Sequence, residues 1–170
     1  MATPVQCLRP MVSEDLQRVL VWRNHESVRR YMYTQHEIAL HEHSQWFERA
    51  PKDANRHLLI FETDGVPLGF INIHRVAAGG IAEWGGYAAP DASKGTGRPL
   101  GQATLQHAFT QIGMHKLCGQ ALAYNERSIK FHLSLGFHQE GVLREQRFDG
   151  QTYHGVVCFG LLAREWQAKS

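Results

Sequence analysis

The stretch 82–101, AEWGGYAAPDASKGTGRPLG, most constrains the fold, because an extended apolar segment must stop, turn through a glycine loop and restart as a helix. The strand pattern ends at Pro90, Lys94 with Gly95 and Gly97 forms a tight loop, and Pro99 stands where a helix takes its first turn. Such a helix start offers backbone N–H groups and the positive end of the dipole to an anion. Gly95 and Gly97 carry no side chain to keep a phosphate away.

The known phosphate loops do not fit. Gly95, Gly97 and Gly101 are misspaced for the dinucleotide fingerprint, and His115 and Lys116 stand where an acidic ribose ligand belongs. No Walker loop occurs. A second stretch, 125–137 (NERSIKFHLSLGF), reads as a capped amphipathic helix. Asn125 is a favoured N-cap, Ile129 and Leu133 repeat at helical spacing, and Gly136-Phe137 suits a left-handed C-terminal cap.

Further helices are expected over 13–20 and 42–49, the latter with Trp46 and Phe47 facing inward. Strands are expected over 58–62 and 66–74, joined by the turn pair Asp64-Gly65, and over 81–87 and 116–123. Leu105, Ala108, Phe109 and Ile112 share a helix face that stops near Gly113. A last hairpin joins 143–148 to 153–161 at Asp149-Gly150. The sum is a mixed α/β sheet with helices on both faces, in one domain of 170 residues. With 43% hydrophobic and 20% charged residues, the chain can bury a sizeable core, which argues against disorder.

The order strand, glycine loop, helix, strand, Asn-capped helix ending in Gly-Phe resembles the GNAT superfamily of acyl-CoA-dependent N-acetyltransferases. The resemblance implies an α/β fold with a mixed, mostly antiparallel central sheet. It implies an acceptor-specificity region over about 1–57, a cofactor core over about 58–140 and a C-terminal hairpin over about 141–170. It also implies that Lys94, Gly95, Thr96, Gly97 and Arg98 bind the pyrophosphate of acetyl-CoA. The backbone of Tyr87, Ala88 and Ala89 would pair with the pantetheine arm, and Asn125, Ser128 and Lys130 would lie along the cofactor. Two positions depart from the family: Ala92 replaces the usual Arg or Gln before the loop, and His132 stands where a tyrosine commonly protonates the departing thiolate.

The chemistry needs a neutral amine, a donor for the carbonyl oxygen and an acid for the thiolate. Glu83, on the strand beside the pantetheine, is the expected base through water. His132 is the expected acid, with Tyr87 and Tyr153 in reserve. The competing structural readings are a salt bridge for Glu83 and a packed ring for His132.

Acceptor recognition is expected in 19–33, VLVWRNHESVRRYMY, where Trp22, Arg23 and Asn24 precede a helix carrying Arg29 and Arg30, followed by Met32 and Tyr33. Guanidinium forks match phosphate oxygens and aromatic rings stack on bases; the plain alternative is a solvated basic face over a core tryptophan. With HEHSQWF, AEWGGY, EGVLRE and GLLAREW, this segment resembles the GNAT branch that acetylates UDP-4-amino-4,6-dideoxy-N-acetyl-β-L-altrosamine in pseudaminic acid biosynthesis. That resemblance implies a bacterial source and a UDP-linked amino sugar near Arg23, Arg30, Met32, Tyr33, His43 and Trp46. His74 and His154 are further candidates for acceptor contact. A protein N-terminus or polyamine acceptor, and an inactive acyl-CoA-binding module, are the alternatives.

The formal charge of +2 gives no nucleic-acid footprint, although eleven histidines tie the charge to pH near neutrality. Cys7, Cys118 and Cys158 are odd in number and widely spaced, which points to a reducing compartment. The first 20 residues form no signal peptide and no stretch is long enough to span a membrane, so a cytoplasmic location is expected. His36, His41 and His43 lack the i, i+4 spacing of a zinc motif, and no metal is expected. Alternating apolar residues in 153–161 suggest an edge compatible with a homodimer.

Overall fold

The computed structural model describes residues 2–168. Seven strands make one mixed sheet: β1 Gln6–Pro10, β2 Arg56–Thr63, β3 Val66–Ala77, β4 Ile81–Ala88, β5 Lys116–Leu122, β6 His138–Phe148 and β7 Tyr153–Leu162. Their order is β1-β2-β3-β4-β5-β7-β6, and all neighbours are antiparallel except β4 and β5. The helices are α1 Leu16–Asn24, α2 Glu26–Arg29, α3 Leu40–Arg49, α4 Gly97–Gln106, α5 Glu126–Ser134 and α6 Ala163–Gln167.

Turn chemistry accounts for the hairpins. Asp64 and Gly65 both take positive φ, 51° and 77°, as a two-residue turn between twisted antiparallel strands requires. At the other hairpin Asp149 Oδ1 accepts from the N–H groups of Gln151 and Thr152, at 2.8 and 2.7 Å. The expected cap of α5 is present at both ends. Asn125 Oδ1 accepts from Ser128 N–H at 3.2 Å. Gly136, at φ 97°, lets the N–H groups of Gly136 and Phe137 reach back to Leu133 and His132 carbonyls at 3.0 and 3.1 Å.

Each face of the sheet has its own core. On one face Leu59, Phe61, Ile71, Ile73, Ala82, Leu117 and Phe159 pack with Leu100, Leu105 and Phe109 from α4 and its π-turn continuation. On the other, Met11, Leu58, Ile60 and Phe70 pack with Val19 and Trp22 of α1, with Trp46 and Phe47 of α3 against them. A salt-bridged knot fixes the start of α1: Asp15, 2% exposed, takes both terminal nitrogens of Arg9 at 2.6 and 2.9 Å. Arg9 Nε also donates to Glu62 at 2.7 Å.

Several elements differ from the sequence expectation. The sequence expectation omits β1, the β3–β4 hairpin and α6; Trp22, Arg23 and Asn24 precede the helix carrying Arg29 as expected, but they also form the last turn of α1. The expected edge strand 153–161 is interior: β7 sits between β5 and β6, and β6 forms the rim, exposed along its whole length. Alternation of apolar residues reports which face of a strand is buried and carries no information about its neighbours. The homodimer edge read from β7 is therefore corrected.

Candidate active site

The site begins where strand pairing fails. β4 and β5 pair only through Ile81 with Lys116, Ala82 with Leu117 and Glu83 with Cys118. Beyond that point β4 runs to Ala88 against β3 alone and β5 runs to Leu122 against β7 alone. The sheet therefore forks, and two strand edges with unpaired backbone groups face one gap. An extended ligand carrying amides can pair with such an edge as a strand would.

The glycine loop follows β4 at the fork. Lys94 and Arg98 are exposed, Gly95 takes φ 95°, and Gly97 opens the ten-residue α4. Thr96 is a correction to the expected phosphate contacts. Its side chain is buried, its hydroxyl donates to the Ser93 carbonyl at 2.8 Å, and its own N–H does the same at 3.2 Å. Thr96 thus braces the loop from inside. Ala92 packs against the core beneath α1 and α3, which leaves Lys94 and Arg98 as the exposed cations of the loop. Ala88 is half-buried and Ala89 is buried, its N–H donating to the Leu68 carbonyl at 2.8 Å, so the Ala89 amide is not free for a ligand.

On α5, Lys130 is exposed and Ser128 half-buried, but Asn125 spends its amide oxygen on the cap. His132 departs most from expectation. It is 5% exposed, stacked on Phe159 at 4.7 Å with a 6° interplanar angle, and edge-on to Phe137 at 5.2 Å. Its Nδ1 lies 2.8 Å from the Ser128 carbonyl, which can only accept, so the proton sits on Nδ1 and Nε2 carries a lone pair. Burial lowers its pKa below the ordinary histidine value, with the Ser128 bond opposing. A neutral ring with no proton on its free nitrogen is not an acid, so that expectation is overturned.

Glu83 stands exposed at the fork, facing His74 across β3 and Cys118 across β5 in register. No ion pair to Glu83 occurs among the described residues. Four residues further along the same face, Tyr87 packs on Phe70 at 5.5 Å. Burial pushes its hydroxyl well above the usual tyrosine range, and the charge of Arg23 opposes that shift, so Tyr87 keeps its proton. Tyr153, the other reserve acid, is 60% exposed and stacks on Phe148 at the hairpin tip.

The remaining acceptor candidates divide sharply. Trp22 is 7% exposed in the core and presents no stacking face. Asn24 clamps one residue of the following loop, donating to the Ile38 carbonyl at 2.8 Å and accepting from its N–H at 2.7 Å. His43 is buried, donates from Nε2 to the Leu16 carbonyl at 3.1 Å and stacks on Trp46 at 5.1 Å. Trp46 in turn meets Phe70 edge-on at 5.8 Å. His74 contacts Asp53 at 3.2 Å and Arg56 at 3.4 Å. Trp22, Asn24 and His43 hold the scaffold, and the reading of these three as ligand contacts is corrected, whereas Trp46 and His74 are half-buried and keep accessible surface.

Arg23, Arg30, Met32 and Tyr33 remain accessible in whole or part. Arg23 Nη2 donates to the Thr34 carbonyl at 2.7 Å, while Nη1 is buried with no partner. Tyr33 donates to Gln120 at 2.6 Å and lies beneath the guanidinium of Arg147, 3.7 Å from the ring centroid. The loop after α2 is thereby fastened to the β5 and β6 side of the fork. Tyr124 reinforces it, donating to the Arg30 carbonyl at 2.9 Å and accepting from Gln35 at 3.2 Å. Beside it Tyr31, Tyr124, Glu126, Arg127 and Lys130 line a cavity of about 540 Å³. Gln120, Tyr124, Arg127 and Arg147 were missed by sequence reasoning. Polar residues alternating in β5 and an aromatic residue just before the Asn125 cap were the available signals.

Among the described residues no group of three or more His, Cys, Asp or Glu side chains is placed to hold a metal. His36 pairs with Glu42 at 3.3 Å. No helix is long and apolar enough to cross a membrane.

A forked mixed sheet with a cationic glycine loop at the fork and an Asn-capped helix beside it defines a protein of the acyltransferase type. The chain belongs to the GNAT acetyltransferase family: the profile of the Acetyltransferase (GNAT) domain matches residues 6–138. It is 30% identical over 78 residues to the SPbeta prophage-derived uncharacterized N-acetyltransferase YokL of Bacillus subtilis, covering 46% of this chain and 44% of that one. To YdaF of the same organism it is 27% identical over 108 residues, covering 62% and 59%. It thus spans less than two thirds of the length of either relative. In structure it resembles spermidine N-acetyltransferase from Vibrio cholerae in complex with CoA and spermine, at TM-score 0.88 and 21% identity over 95% of this chain and 98% of the other. An N-acetyltransferase from Staphylococcus aureus Mu50 follows at TM-score 0.78 and 23% identity, over 94% and 99%.

Proposed function

We propose that the protein is an acetyl-CoA-dependent N-acetyltransferase whose acceptor is the 4-amino group of a UDP-linked amino sugar, UDP-4-amino-4,6-dideoxy-N-acetyl-β-L-altrosamine. The observation that carries the acceptor is the rim of the fork. There tyrosines 31, 33 and 124 stand among Arg30, Arg127, Lys130 and Arg147, with Arg23 Nη1 unpartnered nearby. Flat rings and guanidinium forks suit a base and a diphosphate. In that cavity Arg127 and Lys130 outnumber the carboxylate of Glu126, a balance that disfavours a polyamine, whose recognition needs carboxylates.

The open edge of β4 suits the pantetheine amides, and Lys94 and Arg98 suit the pyrophosphate. Acetyl-CoA supplies the acyl group as a thioester. The acceptor nitrogen attacks the thioester carbonyl, a C–N bond forms and the C–S bond breaks. Glu83 takes the nitrogen's proton through water, and the Tyr87 hydroxyl donates to the departing sulfur. Cytoplasmic acetyl-CoA would feed this reaction.

Release of free thiol from acetyl-CoA with the UDP-linked amino sugar, a peptide N-terminus and spermidine as separate acceptors tests the reading. Turnover with the sugar alone supports it. Turnover only with peptide or spermidine replaces the acceptor while keeping the reaction, and no turnover with any of the three rejects the sugar reading.

A further inference from the structure

Beyond Glu83 and Cys118 no backbone pairing ties β4 to β5, so side chains alone set how far the fork opens. Trp84 is the first residue past that point on β4 and Gly119 the first past it on β5. Trp84 points toward the α4 and α5 face, where it meets Phe131 at 6.4 Å, His132 at 5.4 Å and Phe137 at 6.3 Å between ring centroids. Gly119 lies beneath the His132 and Trp84 rings. A Cβ built there would fall 2.5 Å from His132 Nε2 and 3.0 Å from Trp84 Nε1. A glycine inside a strand commonly marks such a close approach.

The two nitrogens that converge over Gly119 are chemically complementary. Trp84 Nε1 is an obligate donor, buried and without a partner in this arrangement. His132 Nε2 is an acceptor, because Nδ1 holds the proton against the Ser128 carbonyl. Buried N–H groups are almost always satisfied, and here no side chain at position 119 stands between donor and lone pair.

We propose that the Trp84 indole N–H donates to His132 Nε2 across Gly119, forming a clasp between β4 and α5 that fixes the opening of the fork. His132 is then a positioning residue, held at both nitrogens and wedged on Phe159 of β7. The clasp joins the strand and the helix that flank the gap where strand pairing cannot. Its effect on the reaction rests on the proposed acyl-CoA reading of the fork, whereas the hydrogen bond itself does not.

The test separates these two layers. In the free protein, ¹⁵N spectra of labelled tryptophan and histidine should show the Trp84 indole proton slow to exchange and shifted downfield. His132 should appear as the Nδ1–H tautomer with an accepting Nε2, and His132→Phe should return the indole signal upfield while His132→Gln, which restores an acceptor, should not. In turnover, Trp84→Phe keeps a ring and loses the donor. It should raise KM for acetyl-CoA about fivefold with a smaller change in kcat, and His132→Gln should stay closer to wild type than His132→Phe. An indole proton that exchanges like an exposed one, or a His132 ring protonated on Nε2, overturns the clasp in a protein that need not turn over at all. Should the spectra support the bond and both KM and kcat be unchanged in Trp84→Phe, the claim that it fixes the fork is overturned.

Discussion

Glu83 and Cys118 are the last residues through which β4 and β5 pair, and the carboxylate of Glu83 therefore sits at the apex of the fork. The base expected from sequence and the gap that only the structure reveals coincide there. An exposed carboxylate at the apex of a strand gap borders a ligand lying in that gap without leaving solvent, which suits proton removal through water.

Glu83→Gln keeps the shape and removes the base. The expected outcome is a fall in kcat of about a hundredfold with KM for acetyl-CoA little changed, measured by thiol release. A kcat within a factor of two of wild type would remove Glu83 from the mechanism.

Tyr87→Phe deletes only the hydroxyl assigned to the departing sulfur. Because burial raises its pKa, this tyrosine stays protonated through the alkaline range and contributes no falling limb below pH of about 10. The variant should lose about tenfold in kcat with the pH profile otherwise unaltered, and full activity would transfer the donor role elsewhere.

Arg23 is placed to test the acceptor. UDP at millimolar concentration should raise the midpoint of thermal unfolding, and Arg23→Ala should abolish that increase while leaving protection by CoA intact. Absence of any UDP effect on the wild type would count against the nucleotide-sugar reading.

Asp15 anchors the N-terminal region through Arg9. Its hydrogen bonds to Arg9 hold the carboxyl below the ordinary value, against the opposing effect of burial. A depressed carboxylate stabilises the fold fully above its unfolded pKa of about 3.9 and loses that contribution as pH falls through the lower folded value. Denaturant unfolding at neutral pH should show Asp15→Asn less stable by about 3 kcal/mol, with the difference from wild type shrinking at strongly acid pH. A constant difference across that range would refute the ion-pair origin.

Much of the scaffold was legible in the sequence for local reasons. Asp64-Gly65 and Asp149-Gly150 announce hairpins because few other residues accept those dihedrals. Asn125 and Gly136 bracket α5 because each satisfies orphaned backbone groups at a helix end. The glycine loop before α4 was equally visible. The N-terminal cluster misled because residue type shows what a side chain can bind and not which way it faces. Trp22, Asn24 and His43 have the chemistry of ligand contacts, yet the packing of α1 and α3 turns them inward to core and backbone partners.

By itself the sequence determined the elements and the chemistry each could carry, since caps, turns and periodicity act over a few residues. Only the tertiary structure decided which groups meet. The fork at Glu83 and Cys118 arises from non-local strand pairing that no short-range signal encodes. The neutrality of His132 has the same kind of origin, because its burial depends on Phe159, Phe137 and Trp84 arriving from β7, the end of α5 and β4.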